Sequence, residues 1–264
     1  MEHYPKKRLG QNFLIDPNIL RKIVRVIEPQ RDDIIVEIGP GKGALTRFLL
    51  ESNAEIHAIE LDPELVNYLK QELGQFENFH LYYADAVRFD FSDLFNRNQK
   101  IKIAGNIPYN ITSPLLFRLF EITDWLDRIV LLVQKEIALR LCAQPATKEY
   151  GILSVMTKFY CRPKIEFNVS PQVFRPIPRV TSSVVKLVPI ENNYSPEFRR
   201  RFNELVRKAF NRRRKILRNS LDLPASLDIS ACPIDLSRRA ETLSVAEFIE
   251  LTHWYYAHFF LDKK

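Results

Sequence analysis

The sequence predicts an α/β fold: a doubly wound, mostly parallel sheet, followed by a small all-α domain. Three observations carry this. Apolar runs of strand length alternate with segments of helical period through most of the 264 residues. A glycine-rich turn, Gly39-Pro-Gly41-Lys-Gly43, joins the first buried run to a helix, as in sheets that bind nucleotides. After a polar linker at 189–195 the strand pattern stops. The expected domains are therefore residues 1–188 and 189–264.

Residues 1–15 read as extended. Asp16-Pro17 starts a helix, because Asp caps free amides and Pro suits the first helical position. Ile19, Leu20, Ile23, Val24 and Ile27 form its apolar face. Ile34–Ile38 is a buried strand that runs into the glycine turn and a helix through Leu45, Phe48 and Leu49. The glycines allow a tight turn and close approach of backbone to a ligand. This hexad fits a dinucleotide loop and an S-adenosylmethionine loop equally well.

The second strand, 55–59, ends at Glu60, about 20 positions past the first glycine, where a carboxylate accepts from ribose hydroxyls. Asp62-Pro63 caps the next helix. The third strand, 79–84, is followed by Asp85, placed either to accept from a cofactor adenine or to close a turn. The fourth, 101–104, delivers Asn106-Ile107-Pro108-Tyr109. Ser113-Pro114 is expected to cap a helix, 128–133 to be the fifth strand and 134–141 a helix. Residues 143–150 read as a polar loop and 151–160 as a helix. Residues 164–169 and 182–188 read as a final strand pair, separated by the proline-stiffened Phe174-Arg-Pro176-Ile-Pro178. Beyond the linker, helices are expected from Ser195-Pro196, over 212–221, and from the capping box Ser244-x-x-Glu247 to Phe260.

Ligands of such sheets bind at the carboxyl ends of the strands. Glu60, Asp85 and Asn106 all fall there. The Asn106–Tyr109 stretch resembles the loop of enzymes that methylate exocyclic amines of nucleobases, and the chemistry accounts for its residue types. The lone pair of an aromatic amine is delocalised into the ring. The Asn106 carboxamide oxygen and the Ile107 carbonyl can accept its two N–H groups and localise that pair. Pro108 holds Ile107 extended, and Tyr109 offers a face for an extruded base. Phe174 is either a core plug or a second stacking face.

Net charge is +7, but residues 197–218 alone carry ten Lys/Arg against two Glu, leaving the remainder at −1. Lys6-Lys7-Arg8 forms a second small cluster. Charge this concentrated points to a polyanion, most often nucleic acid. No run reaches the ~18 apolar residues of a membrane helix, and the basic N-terminus has no apolar stretch after it. The expectation is a cytoplasmic protein with no membrane partner. Cys142, Cys161 and Cys232 suit a reducing compartment, and neither they nor the five histidines show metal-ligand spacing. No metal is expected, and a monomer suffices for docking on a large RNA.

Seven motifs, in order, resemble the ribosomal RNA adenine dimethyltransferase family. They are Lys7-Arg-Leu-Gly-Gln-Asn-Phe-Leu14, Glu37-Ile-Gly-Pro-Gly-Lys-Gly43, Asn106-Ile-Pro-Tyr109, Val133-Gln-Lys-Glu136, Phe174-x-Pro-x-Pro178, Arg212-Arg-Arg-Lys-Ile-Leu217 and Arg239-Ala-Glu-Thr-Leu243. Ile107 stands where many relatives carry Leu. The resemblance implies a Rossmann-like class I methyltransferase domain, with residues 189–264 binding rRNA. S-adenosylmethionine would be the cofactor. The substrate would be two adjacent adenosines in the 3′-terminal hairpin loop of 16S rRNA, in a 30S precursor. Asn12 and Leu14 would close over the cofactor, Gly39 and Gly41 line it, Glu60 hold its ribose and Asp85 its adenine. Asn106 would touch both cofactor and base, and Tyr109 and Phe174 would sandwich the target adenine. Two other readings differ in substrate or class: an Erm-type 23S rRNA methylase, and a non-catalytic ribosome-assembly factor. A nicotinamide-dependent oxidoreductase rests on the glycine hexad alone.

Overall fold

A computed structural model describes residues 11–94, 99–108, 111–212, 214–224 and 227–258. Tyr109 and the Lys6-Lys7-Arg8 cluster lie outside the described residues. The chain divides into two compact units, residues 1–138 with 161–190 and residues 139–160 with 191–264. The crossing at 190/191 lies two residues from the expected boundary. Residues 139–160, however, group with the C-terminal helices.

The first unit holds β1 (Phe13–Leu14), α1 (Pro17–Ile27), β2 (Ile34–Ile38), α2 (Ala44–Leu50), β3 (Glu55–Glu60), α3 (Pro63–Leu73), β4 (Phe79–Tyr83), β5 (Ile101–Asn106), α4 (Thr112–Glu121) and β6 (Leu126–Gln134). Helix α5 (Lys135–Cys142) leads out of it, and β7 (Cys161–Val169), β8 (Phe174–Arg175) and β9 (Ser182–Pro189) complete it. Seven strands form one sheet in the order β4-β3-β2-β5-β6-β9-β7. The first five are parallel, β9 runs antiparallel to β6, and β7 runs antiparallel to β9. Strand β2 lies between β3 and β5 and is buried along its whole length, so both of its faces are covered. The chain's direction of travel across the sheet reverses at β2, and a crevice opens there at the carboxyl ends.

Local chemistry accounts for most element ends. The Asp16 carboxylate accepts from the Asn18 and Ile19 amides, and that of Asp62 from the Glu64 amide, so α1 and α3 start where a cap precedes a proline. Helix α1 stops as Glu28 turns left-handed at φ 53°. Helix α4 begins at Thr112 with no side-chain cap, so Ser113-Pro114 sits inside its first turn rather than before it. Pro tolerates that position because the first amides have no helical partner.

The two-residue strand β1 pairs antiparallel with β8, Leu14 opposite Phe174. This pairing corrects one expectation. Phe174 is 1% exposed and packs with Leu14, Leu20, Ile23, Val169 and Val184. It is the core plug and not a stacking face, because the ladder turns it inward.

In the second unit α6 (Ile152–Tyr160), α7 (Pro196–Asn211), α8 (Leu217–Ser220) and α9 (Val245–His258) surround an aromatic core. Phe159 stacks on Phe202 at 3.8 Å, and Phe210 on Phe248 at 5.9 Å. The Tyr150 hydroxyl donates to the Leu243 carbonyl at 2.8 Å. Ser244 and Glu247 form the reciprocal capping box. The helix expected over 212–221 shrinks to α8, because Ile216 pairs with Arg239 in an isolated antiparallel bridge. Among the described residues no helix is long and apolar enough to cross a membrane.

Candidate active site

The crevice at the carboxyl ends of β2 to β5 is a cavity of 570 Å³ within the first unit. Its lining includes Asn12, Leu14, Gly39, Gly41, Glu60, Asp85, Asn106, Ile107 and Pro108. All seven residues expected to hold a cofactor therefore meet in one place. Phe174 does not line it.

The glycine turn is shaped by its neighbours. Gly39, Gly41 and Gly43 have φ of 68°, 61° and 75°, a region costly for residues with a Cβ. A Cβ on Gly41 would also lie 2.9 Å from the Phe13 ring. That ring covers the turn, with the Lys42 ammonium 5.7 Å from its centre.

Where the turn's amides point decides between the two glycine-loop readings. A dinucleotide loop offers its N–H groups to a pyrophosphate. Here the Gly39 amide donates to the Ile59 carbonyl at 3.0 Å, Gly43 to Pro40 at 2.9 Å and Gly41 to Glu60 Oε2 at 3.1 Å. All three are committed inside the protein, and one is held by a carboxylate. The three glycine amides are thus closed to a diphosphate, and the lining carries the acids Glu37, Glu60 and Asp85 beside Lys42 and Arg88.

Glu60 is the hub of the crevice. It is 7% exposed, and Oε1 accepts from the Leu61 and Asp62 amides, both at 2.9 Å. Burial pushes its carboxyl up, against the pull of the Asp62, Gly41 and Leu61 amides. Asp62 in turn accepts from the Gln11 side chain at 3.0 Å, tying the chain's beginning to this corner. Asp85 accepts from the Val87 amide at 2.9 Å, with the Arg88 guanidinium 4.0 Å away. It closes a turn as well as lining the cavity.

Asn106 ends β5. Its Nδ2 donates to the Asn12 carbonyl at 2.8 Å, which leaves Oδ1 as the acceptor atom of the amide. The Ile107 amide donates to the Leu132 carbonyl at 3.1 Å, and its side chain is buried. The Pro108 carbonyl accepts from the Ile111 amide and from Thr112 Oγ1, launching α4. Gly105 lets β5 approach β2: a Cβ there would sit 2.4 Å from the Ile38 carbonyl oxygen.

Glu37 lines the cavity and was not expected to. Its signal is a lone acid inside the apolar strand Ile34-Ile-Val-Glu-Ile38. It is 2% exposed, and among the described residues neither its Oε2 nor the neighbouring Thr46 hydroxyl makes a well-formed hydrogen bond. Burial pushes its carboxyl up to about 7, with Thr46 drawing it partly back and Glu60 adding to the rise. A raised carboxyl stabilises the fold at low pH, and that contribution is lost as pH climbs through about 7. Its size is about 3 kcal/mol. Without ligand, Glu37→Gln is expected to melt like the parent near pH 4.5 and several degrees above it at pH 8. Melting curves at the two pH values check this, and equal shifts at both would refute it.

The comparisons with known proteins come down on the same side. Residues 2–256 match the family described as Ribosomal RNA adenine dimethylase. The chain belongs to the ribosomal RNA adenine dimethylase family. Among similar relatives, a "Ribosomal RNA small subunit methyltransferase A" of Saccharophagus degradans is 42% identical over 253 residues, covering 95% of this chain and 94% of its own. One of the same name from Pseudomonas aeruginosa is 41% identical, covering 96% and 95%. The solved dimethyladenosine transferase of Plasmodium falciparum superposes with a TM-score of 0.77 at 26% identity, covering 93% of this chain and 98% of its own. The 23S rRNA methyltransferase ErmE superposes at 0.68 with 22% identity, covering 91% and 98%. At that identity the likeness is one of fold alone.

Proposed function

We propose that this chain uses S-adenosylmethionine to dimethylate N6 of two adjacent adenosines in the 3′-terminal hairpin loop of 16S rRNA. The single observation that supports this most is the position of Asn106. Its side chain opens on the same cavity as Glu60 and Asp85, at the end of the strand next to the glycine turn. The cofactor supplies a methyl group already activated on a sulfonium, so the protein's task is mainly to orient the acceptor nitrogen.

The residues fit that cofactor. A 570 Å³ crevice is within the range for a ligand of this size. Glu60 would hold ribose hydroxyls and Asp85 an adenine amine, with Asn12 and Leu14 closing from the β1 side. Asn106 Oδ1 and the Ile107 carbonyl accept N6–H hydrogens and align the lone pair. After the first transfer one N–H remains, so the monomethylated base must turn to present it for the second. Tyr109 follows Pro108 directly and would offer the stacking face. Loop adenosines are cheaper to extrude than paired ones.

The second unit would grip rRNA through its basic stretch, but fewer charges are available than the sequence promises. Arg200 and Arg201 pair with Glu204 and Glu197. Arg199 donates to the Asn192 and Tyr194 carbonyls, Lys208 to the Tyr255 hydroxyl, and Arg212 pairs with Asp222. Arg214 and Lys215 are exposed in the turn that follows α7. Reversing both to Glu is expected to weaken binding to small subunits at least tenfold. It should also lower the slope of log affinity against log salt by about 2, one per lost phosphate contact. Affinity that scarcely changes with salt in either protein would remove this docking surface from the proposal.

A further inference from the structure

A second cluster of ligating side chains lies in the first unit, away from the cofactor crevice. Strands β3 and β4 pair in parallel with His57 directly opposite His80. Glu55 lies two residues before His57 and so shares its face of the sheet. His57 Nε2 and His80 Nε2 each lie 3.1 Å from the same Glu55 oxygen, and the three ligating atoms fall within 4.8 Å of one another. The imidazole rings stack at 4.7 Å with planes 24° apart. On the far side of His57, Nδ1 meets the Tyr82 hydroxyl at 2.9 Å, and the Tyr82 ring packs edge-on against Phe89 at 5.2 Å.

We propose that Glu55, His57 and His80 form a binding site for a divalent transition ion of the zinc class. Two imidazoles and one carboxylate are a donor set for zinc, cobalt or nickel, whereas magnesium and calcium prefer oxygen alone. Ligands at ~2.1 Å from a tetrahedral ion stand about 3.3 Å apart, close to the two 3.1 Å separations here. His57 is pre-set for the task. Its ring is buried at 8% side-chain exposure, and Tyr82 holds Nδ1, the outer-shell partner that fixes which nitrogen faces the ion. His80 and Glu55, at 39% and 46%, leave the remaining positions open to water.

The site sits toward the amino ends of its strands. Glu60, in the crevice, lies three residues beyond His57 and five beyond Glu55, about 10–16 Å along β3. The ion would therefore act on the fold and not on methyl transfer. Strand β4 is the edge of the sheet and pairs with β3 alone, so an ion held by both strands staples that edge. The sequence hides the cluster because His57 and His80 stand 23 residues apart and meet only through the parallel register.

The test uses untagged, chelator-treated protein titrated with Co2+ and Zn2+, with Mg2+ as control. Expected are saturable binding near one equivalent and a visible Co2+ spectrum without the intense thiolate bands that Cys142, Cys161 or Cys232 would add. The melting temperature should rise by several degrees at about a hundredfold excess of Zn2+ over its dissociation constant, with no rise in Mg2+. His80→Ala, at a half-exposed position that does not threaten folding, should weaken the ion at least tenfold. No saturable binding would mean that the three residues are only a hydrogen-bonded triad. Equal binding by His80→Ala, or a thiolate spectrum, would place the ion elsewhere. Either result overturns the proposal.

Discussion

Asn106→Ala is expected to cut the rate of methyl transfer to undermethylated small subunits by about 10²–10³, the range for deleting one preorganised polar group at a reacting centre. Two losses combine. The amide oxygen that would align N6 disappears, and so does the Nδ2 donor that holds the Asn12 carbonyl at 2.8 Å. The second loss loosens residues 11–15 over the crevice, so cofactor affinity should fall as well, though by less than the rate. Subunit binding through the second unit should be unchanged. Single-turnover rates at saturating cofactor separate the two effects. A variant that is slow only at low cofactor would mean that Asn106 positions the lid and does not touch the base.

Glu60→Gln is expected to weaken S-adenosylmethionine binding by about a hundredfold, the size of one charge-assisted hydrogen bond at ~3 kcal/mol. The isosteric amide keeps one oxygen, which can still accept from the Leu61 and Asp62 amides. Its NH2 then faces the Gly41 amide, donor against donor, where the parent has an acceptor at 3.1 Å. The glycine turn loses its anchor, and the ribose loses its acceptor. Thermal stability should change little, because removing a buried carboxylate offsets the lost bond. Calorimetric titration with the cofactor checks this. Affinity within threefold of the parent would show that the turn, and not Glu60, carries the recognition.

Much of this architecture is legible locally. Asp16-Pro17 and Asp62-Pro63 mark helix starts because capping is a contact between near neighbours. The strands of the parallel sheet read as apolar runs because both faces are covered. The convergence of Glu60, Asp85 and Asn106 follows from their shared place at strand ends. What escaped depends on partners distant in sequence. Phe174 is a core residue because β8 pairs with β1, some 160 positions earlier, and nothing near Phe174 announces that ladder. Residues 139–160 join the second unit through contacts such as Tyr150 to Leu243. The basic stretch looks freer in sequence than it is, because Asn192, Asp222 and Tyr255 take up its donors. Glu37 was visible as a lone acid in an apolar strand, but its raised carboxyl depends on the sheet that buries it.

The most direct measurement is transfer of labelled methyl from S-adenosylmethionine to undermethylated small subunits, with 23S rRNA alongside and Asn106→Ala as control. The expected result is label recovered as dimethyladenosine at two adjacent positions near the 3′ end of 16S rRNA, and lost in the variant. Label on 23S rRNA, or subunits bound tightly without any transfer, would contradict the assignment.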